Sequence, residues 1–144
     1  MFSKKSEYGI KACIFIASNS LQNKRVSLRE IAVQIDSPEA YTAKILQALV
    51  RAELIQSTKG SNGGYHLTLE SLHELNLTSL VHALDGPNYL SGCVLGLEHC
   101  SDQQPCPFHD KWKVIRKDMI KILDSTLLYD LAIGLKELKT VLKQ

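Results

Sequence analysis

The sequence predicts a mainly α fold with a small β-hairpin, α+β in class, on three observations. Apolar residues recur at helical spacing in three closely joined segments between residues 6 and 54. A glycine-rich loop, KGSNGG at 59–64, follows between two short strand-like runs. A long amphipathic segment then starts near Phe108. The 144 residues, 44% apolar and 22% charged, have the composition of a globular domain, or of one domain with an extension.

Each element has a local reason. Residues 6–19 place Ile10, Ile14 and Ala17 along one helical face, with Cys13 as a core residue. SLRE at 27–30 fits a capping box: the Ser27 hydroxyl accepts the amide of Glu30, whose carboxylate bonds back. A short helix through Ile35 follows. In DSPEAYTAKILQALVRAELI, Ser37 suits an N-cap and Pro38 the first helical position. Ile45, Leu46, Leu49 and Val50 form that helix's core face, leaving Tyr41, Thr42 and Lys44 near its start for other work. The glycines at 60, 63 and 64 allow positive φ, which a tight hairpin needs. TSLVHALDGP at 78–87 reads as a helix stopped by Gly86 and Pro87.

Three helices followed by a glycine-tipped hairpin is the order of a winged helix-turn-helix, in which the second of two joined helices enters a major groove. Charge supports a phosphate-facing surface: residues 1–60 carry nine bases and five acids, whereas 61–110 carry six acids and no Lys or Arg. Tyr41, Thr42 and Lys44 are therefore expected in the major groove of double-stranded DNA. Ser61 and Asn62 are expected near the minor groove, and Arg29 and Lys59 on phosphates.

Three regions result: a DNA-binding domain over 1–86, a cysteine-rich loop over 87–107 and a helical dimerisation region over 108–144. In the last, Trp112, Ile115, Met119, Ile120 and Leu123 form a stripe too long for one small domain, so a homodimer is expected through this helix. Ser125 or Thr126 would cap a final helix. The apolar run ACIFIA near the start is too short to span a membrane or act as a signal core, so a cytoplasmic location is expected.

The loop carries Cys93-x6-Cys100-x5-Cys106-x2-His109. It lacks the paired C-x2-C arms of common zinc ribbons. In a reducing cytosol, clustered thiols are ligands or redox groups more often than disulfides. Three thiolates with a nitrogen or oxygen fourth ligand suit zinc or an iron–sulfur cluster, and the spacing is also compatible with a bare thiol switch. No Ser/His/Asp order, phosphate loop or carboxylate pair points to an enzyme.

Taken together, SEYGIKACIFIA, SLREIA, SPEAYTAKILQALVRAELI, KGSNGGYHL, ALDGP and the three-cysteine loop resemble the Rrf family of bacterial regulators, of the IscR and NsrR type, over essentially the whole chain. The resemblance implies a homodimer on pseudo-palindromic DNA and a 2Fe-2S cluster held by Cys93, Cys100 and Cys106. IscR-like members take a fourth ligand from a histidine three residues after the last cysteine, the place of His109. NsrR-like members use an acid before the aromatic of the first helix, in the other subunit, the place of Glu7. His109 is favoured, with His99 a weaker candidate. The first cysteine gap, six residues where five is common, departs from the pattern. The implied function is a transcription regulator whose DNA affinity follows cluster state, in response to redox, nitric oxide or iron–sulfur status. The alternative is a winged-helix protein with structural zinc, acting as a constitutive DNA binder or interaction module.

Overall fold

The structure, a computed structural model, describes residues 2–144. Helices α1 (Lys4–Ser20), α2 (Leu28–Gln34) and α3 (Glu39–Arg51) lead into the strands β1 (Gln56–Thr58) and β2 (Gly64–His66). Helices α4 (Leu69–Glu74) and α5 (Leu77–Asp85), a 3₁₀ turn at Tyr89–Ser91, α6 (His109–Ser125) and α7 (Leu128–Lys136) complete the chain.

Helix α1 is the hub, packed by α3, α5 and α7. Its Ala12, Cys13, Ile16 and Ala17 are fully buried beside Ile31, Ile35, Ile45, Leu46, Leu49 and Leu80. Burial pushes the Cys13 thiol up to about 12, so it is an inert core group.

The capping box at α2 forms: Ser27 Oγ accepts from Glu30 N at 3.2 Å, and Glu30 Oε2 accepts from Ser27 N at 2.7 Å. The start of α3 differs by one residue. Pro38 is the N-cap and Glu39 the first helical residue, while the buried Ser37 hydroxyl bonds to nothing. The reason is that the Pro38 carbonyl takes the first helical bond, from Thr42 N at 2.9 Å.

The hairpin pairs Gln56 with His66, Ser57 with Tyr65 and Thr58 with Gly64. It is tied to the rest of the domain through an isolated bridge, Val26 to Tyr65, with bonds of 3.1 and 2.8 Å. Ser20 makes a second tie. Its buried hydroxyl accepts from Leu67 N at 3.0 Å and donates to Ile16 O at 2.9 Å.

The core does not stop at residue 86. Leu128 and Ala132 of α7 are fully buried in the same cluster as α1, so the final helix completes the first domain rather than standing apart. Neither Ser125 nor Thr126 caps it. Both hydroxyls donate back to Ile122 O, closing α6, and the N-cap of α7 is Leu127 with no side-chain bond. The corner is held instead by backbone bonds, Leu77 N to Thr126 O at 3.2 Å and Leu128 N to Leu75 O at 2.8 Å. Helix α6 packs on α5 and the 3₁₀ turn through Leu123, Val81 and Leu90, with Met119 and Ile120 beside them. Its Val114, Ile115 and Ile122 remain 62%, 50% and 62% exposed, far more than a core-facing stripe requires. No described helix is long and apolar enough to cross a membrane.

Candidate metal centre and nucleic-acid interface

Helix α3 turns Ile45, Leu46 and Leu49 inward, so its opposite side faces solvent. That side carries Ala40, Lys44, Gln47 and Arg51, spaced as one helical stripe. Lys44 is exposed on this side. Thr42 is not: it is fully buried, and its hydroxyl donates to Pro38 O at 3.0 Å. Standing three, four and seven residues before Ile45, Leu46 and Leu49, residue 42 shares their core face, so Thr42 is a structural residue and not a base-reading one. Tyr41 is half-buried, edge-on to Tyr8 with ring centroids 5.9 Å apart. Arg29, Lys59, Ser61 and Asn62 are exposed on α2 and the hairpin. Arg25 joins them, donating from Nη1 to Asn62 O at 3.2 Å and so linking the turn before α2 to the hairpin tip. Gln47 and Arg51 share the stripe of Lys44, three and seven residues further on, a spacing visible in the sequence.

The cysteine loop lies along α6 and is clipped to it near the loop's start. Trp112 Nε1 donates to Gly92 O at 3.1 Å and Arg116 Nη1 to Ser91 O at 2.8 Å. Trp112, expected at a dimer surface, is thus engaged within its own chain. Beyond the clips, Cys93, Cys100 and Cys106 are free thiols.

They fall into pairs. Cys93 Sγ stands 3.7 Å from Cys106 Sγ, and Cys100 Sγ stands 3.5 Å from His109 Nδ1. A tetrahedral metal with thiolate bonds of about 2.3 Å sets two sulfurs about 3.8 Å apart, and a sulfur and an imidazole nitrogen about 3.6 Å apart. Each pair therefore has the separation of two ligands on one tetrahedral centre. Among the described residues, no three His, Cys, Asp or Glu side chains converge to hold a single ion. The donor set fits a group that takes its ligands two by two better than a mononuclear cage.

The local backbone prepares the thiols. The amide of Leu97 first, then those of Leu95 and Gly96, points at Cys93 Sγ and holds this thiol below its ordinary range against the cost of desolvation. Gly96, at φ +77°, lets the chain turn back so that these amides face the sulfur. Cys106 is buried, and desolvation raises its thiol despite the Phe108 amide. His109 opens α6 and is only 4% exposed. Its Nε2 lies 2.9 Å from Asp102 Oδ1, which also accepts from Lys113 Nζ at 2.6 Å. Lys113 first, and His109 after it, bring the Asp102 carboxyl down to about 2. His99 lies exposed near Glu98, and Glu7 accepts from Lys4 Nζ at 2.7 Å on the first turn of α1.

A hairpin wing beside a solvent-facing second helix defines a DNA-binding helix-turn-helix regulator. The family model described as Rrf2, Iron-dependent Transcriptional regulator, matches residues 2–133, and the chain belongs to that family. Among curated relatives, the transcriptional regulator CymR of Bacillus subtilis is 30% identical, over 90% of this chain and 88% of its own length. The transcriptional regulator NsrR of Oceanobacillus iheyensis is 27% identical, over 94% and 91%. The transcriptional regulator IscR of Vibrio cholerae is 25% identical, over 90% and 73%. The solved structure of CymR, the global cysteine regulator of B. subtilis, superimposes with a TM-score of 0.74 at 29% identity, covering 92% of this chain and 96% of that one. The chain is a transcriptional regulator and not an enzyme.

Proposed function

We propose that this regulator binds DNA as a homodimer and that a 2Fe-2S cluster on Cys93, Cys100, Cys106 and His109 sets its DNA affinity. The observation that carries the reading is the sorting of four donors into two pairs, 3.7 and 3.5 Å apart. Family membership alone does not choose the signal, because one relative is described as a global cysteine regulator while the family description names iron. The pairing of thiols with an imidazole favours the cluster. His109 is the fourth ligand in this reading, since its Nδ1 already faces Cys100 and Glu7 is engaged with Lys4.

Three thiolates and a neutral imidazole leave a cluster less negative and less firmly held than four thiolates do. When bound, such a group supplies sensitivity to oxidants, nitric oxide or iron–sulfur supply. The chain's own contribution is mechanical. Cys93 and Cys106 bring the two ends of the loop together, and Cys100 and His109 tie its middle to the first turn of α6. The apolar face of α6, with Val114, Ile115 and Ile122 exposed, meets a second copy, so a change in the loop reaches the spacing of the two α3 helices. In this arrangement Tyr41, Lys44, Gln47 and Arg51 approach the major groove. Ser61 and Asn62 approach the minor groove, while Arg25, Arg29 and Lys59 lie along phosphates.

The test is anaerobic purification followed by metal analysis, visible absorbance and operator titration. The expected result is a coloured protein with iron and sulfide, whose cluster-loaded and apo forms differ in DNA affinity. Cys100→Ala should be colourless and bind like the apo form. A colourless wild-type protein carrying zinc would favour the structural-zinc alternative. Sedimentation showing a monomer at micromolar concentration would remove the dimer.

A further inference from the structure

His109 is buried, yet its ring touches two very different partners. Nδ1 faces a thiol, and Nε2 faces a carboxylate that belongs to neither cysteine pair. Asp102 is 70% exposed, and a fully solvated surface acid has no need of a buried imidazole. Its Oδ1 nevertheless takes both His109 Nε2 and Lys113 Nζ, at 2.9 and 2.6 Å. A carboxylate held ionised by an ammonium group accepts hydrogen bonds and donates none. A neutral His109 must then carry its single proton on Nε2, which leaves the Nδ1 lone pair beside Cys100. A histidine that ligates a metal through one nitrogen commonly donates the other N–H to a carboxylate, which fixes tautomer and ring orientation.

We propose that Asp102, held in place by Lys113, is a positioning residue that fixes His109 in the Nε2–H tautomer and so presents Nδ1 as the fourth donor beside Cys100. This rests on the cluster reading for its purpose, though the tautomer itself is a property of the protein alone. The loop between Cys100 and Cys106 is therefore more than a spacer: its Asp102 reaches across to two residues of α6, four apart, and connects the ligand to the helix. Lys113 adds a fixed positive charge next to the carboxylate, so the imidazole faces an ion pair rather than a lone anion.

The experiment has two arms on the full-length chain. In the first, ring-nitrogen NMR of the metal-free protein at alkaline pH, where imidazole is neutral, reads the His109 tautomer directly. Wild type should show protonated Nε2, Asp102→Ala should shift towards a mixture, and Asp102→Asn should lie between them, because its amide oxygen still accepts. Protonated Nδ1 in wild type, or the same spectrum in Asp102→Ala, overturns the proposal whatever metal the protein carries. In the second arm, anaerobically loaded wild type, Asp102→Ala, Asp102→Asn, Lys113→Ala and His109→Ala are compared by visible circular dichroism, reduction potential and loss of iron to a chelator. Asp102→Ala should lose iron about tenfold faster or more, with partial rescue in Asp102→Asn and an altered potential in Lys113→Ala. Asp102→Ala matching wild type while His109→Ala differs overturns the positioning role. A wild type that loads no cluster overturns the proposed function, and the first arm still decides the tautomer. As Asp102 is largely solvent-exposed, its variants keep the fold, and the unchanged far-ultraviolet spectrum checks this.

Discussion

Gly64→Ala is expected to damage the hairpin much more than Gly60→Ala, although both glycines have positive φ, +133° and +102°. A side chain in that backbone region costs about 1–3 kcal/mol at either place. Space separates them. A Cβ on residue 60 would meet nothing within 4 Å, whereas one on residue 64 would stand 2.7 Å from Val26 O and 3.2 Å from Val26 N. These are backbone atoms and cannot swing aside. Moving Val26 breaks its two bonds with Tyr65, at 3.1 and 2.8 Å, each worth about 1 kcal/mol net. Gly64→Ala should therefore lose about 3–5 kcal/mol, and Gly60→Ala about 2 kcal/mol less than that. Urea unfolding of the two variants measures the difference, and operator titration shows whether the hairpin still docks. Equal midpoints would refute the reasoning, because they would mean that the Val26 bridge does not hold the hairpin against α2.

Thr42→Val, which keeps the shape and removes the hydroxyl bonded to Pro38, should change stability by about 1 kcal/mol and leave operator preference intact in competition binding. Lys44→Ala and Arg51→Ala should each weaken DNA binding, and whichever of the two side chains sits on a phosphate should flatten the salt dependence by about one unit of slope when removed. Ser20→Ala strands the buried Leu67 amide and should cost about 1–3 kcal/mol in chemical denaturation. Ser27→Ala should cost about 1 kcal/mol. The Ser27 amide and hydroxyl hold the Glu30 carboxyl below its usual range, so this cap stabilises above the ordinary glutamate pKa and fades as pH falls through the lowered value. Because the Ser27 amide is the larger cause and survives in Ser27→Ala, the variant that reads this is Glu30→Gln: the gap between wild type and Glu30→Gln should narrow in acid.

The parts of this fold that were legible in the sequence are those set by local chemistry. The capping box at Ser27, the core face of Ile45, Leu46 and Leu49, and the glycine hairpin each follow from residues within one or two turns. What was not legible depended on distant partners. Thr42 is an exception: its inward position was legible, since it precedes Ile45, Leu46 and Leu49 by three, four and seven residues, and its polar side chain masked that spacing. Helix α7 joins the first core because Leu75 and Leu77 pair with residues near 127, some fifty positions away. At the candidate metal centre, spacing singled out the three cysteines and His109. It gave no sign of the Leu95–Leu97 amides around Cys93 or of Asp102 and Lys113, which matter only once the loop is laid along α6.

That placement also bears on how the proposed switch in the cysteine loop would reach the DNA-binding half. His109, Trp112, Lys113 and Arg116 hold the loop on one side of α6. Phe2, Ile115, Met119 and Ile122 line an apolar groove on the same helix, roughly a third of a turn round. One rigid rod therefore carries both the loop clips and the surface proposed to meet a second copy. A helix transmits rotation well because its backbone bonds leave few soft degrees of freedom, whereas a loop with no anchor dissipates it. Removing a clip without touching a thiol separates the two ideas. Arg116→Ala takes away the bond to Ser91 O and leaves all four donors in place. If the rod carries the signal, this variant should load its cluster as wild type does and yet narrow the difference in DNA affinity between loaded and apo forms. An undiminished difference would mean that the loop acts on the DNA-binding half directly, without passing through α6.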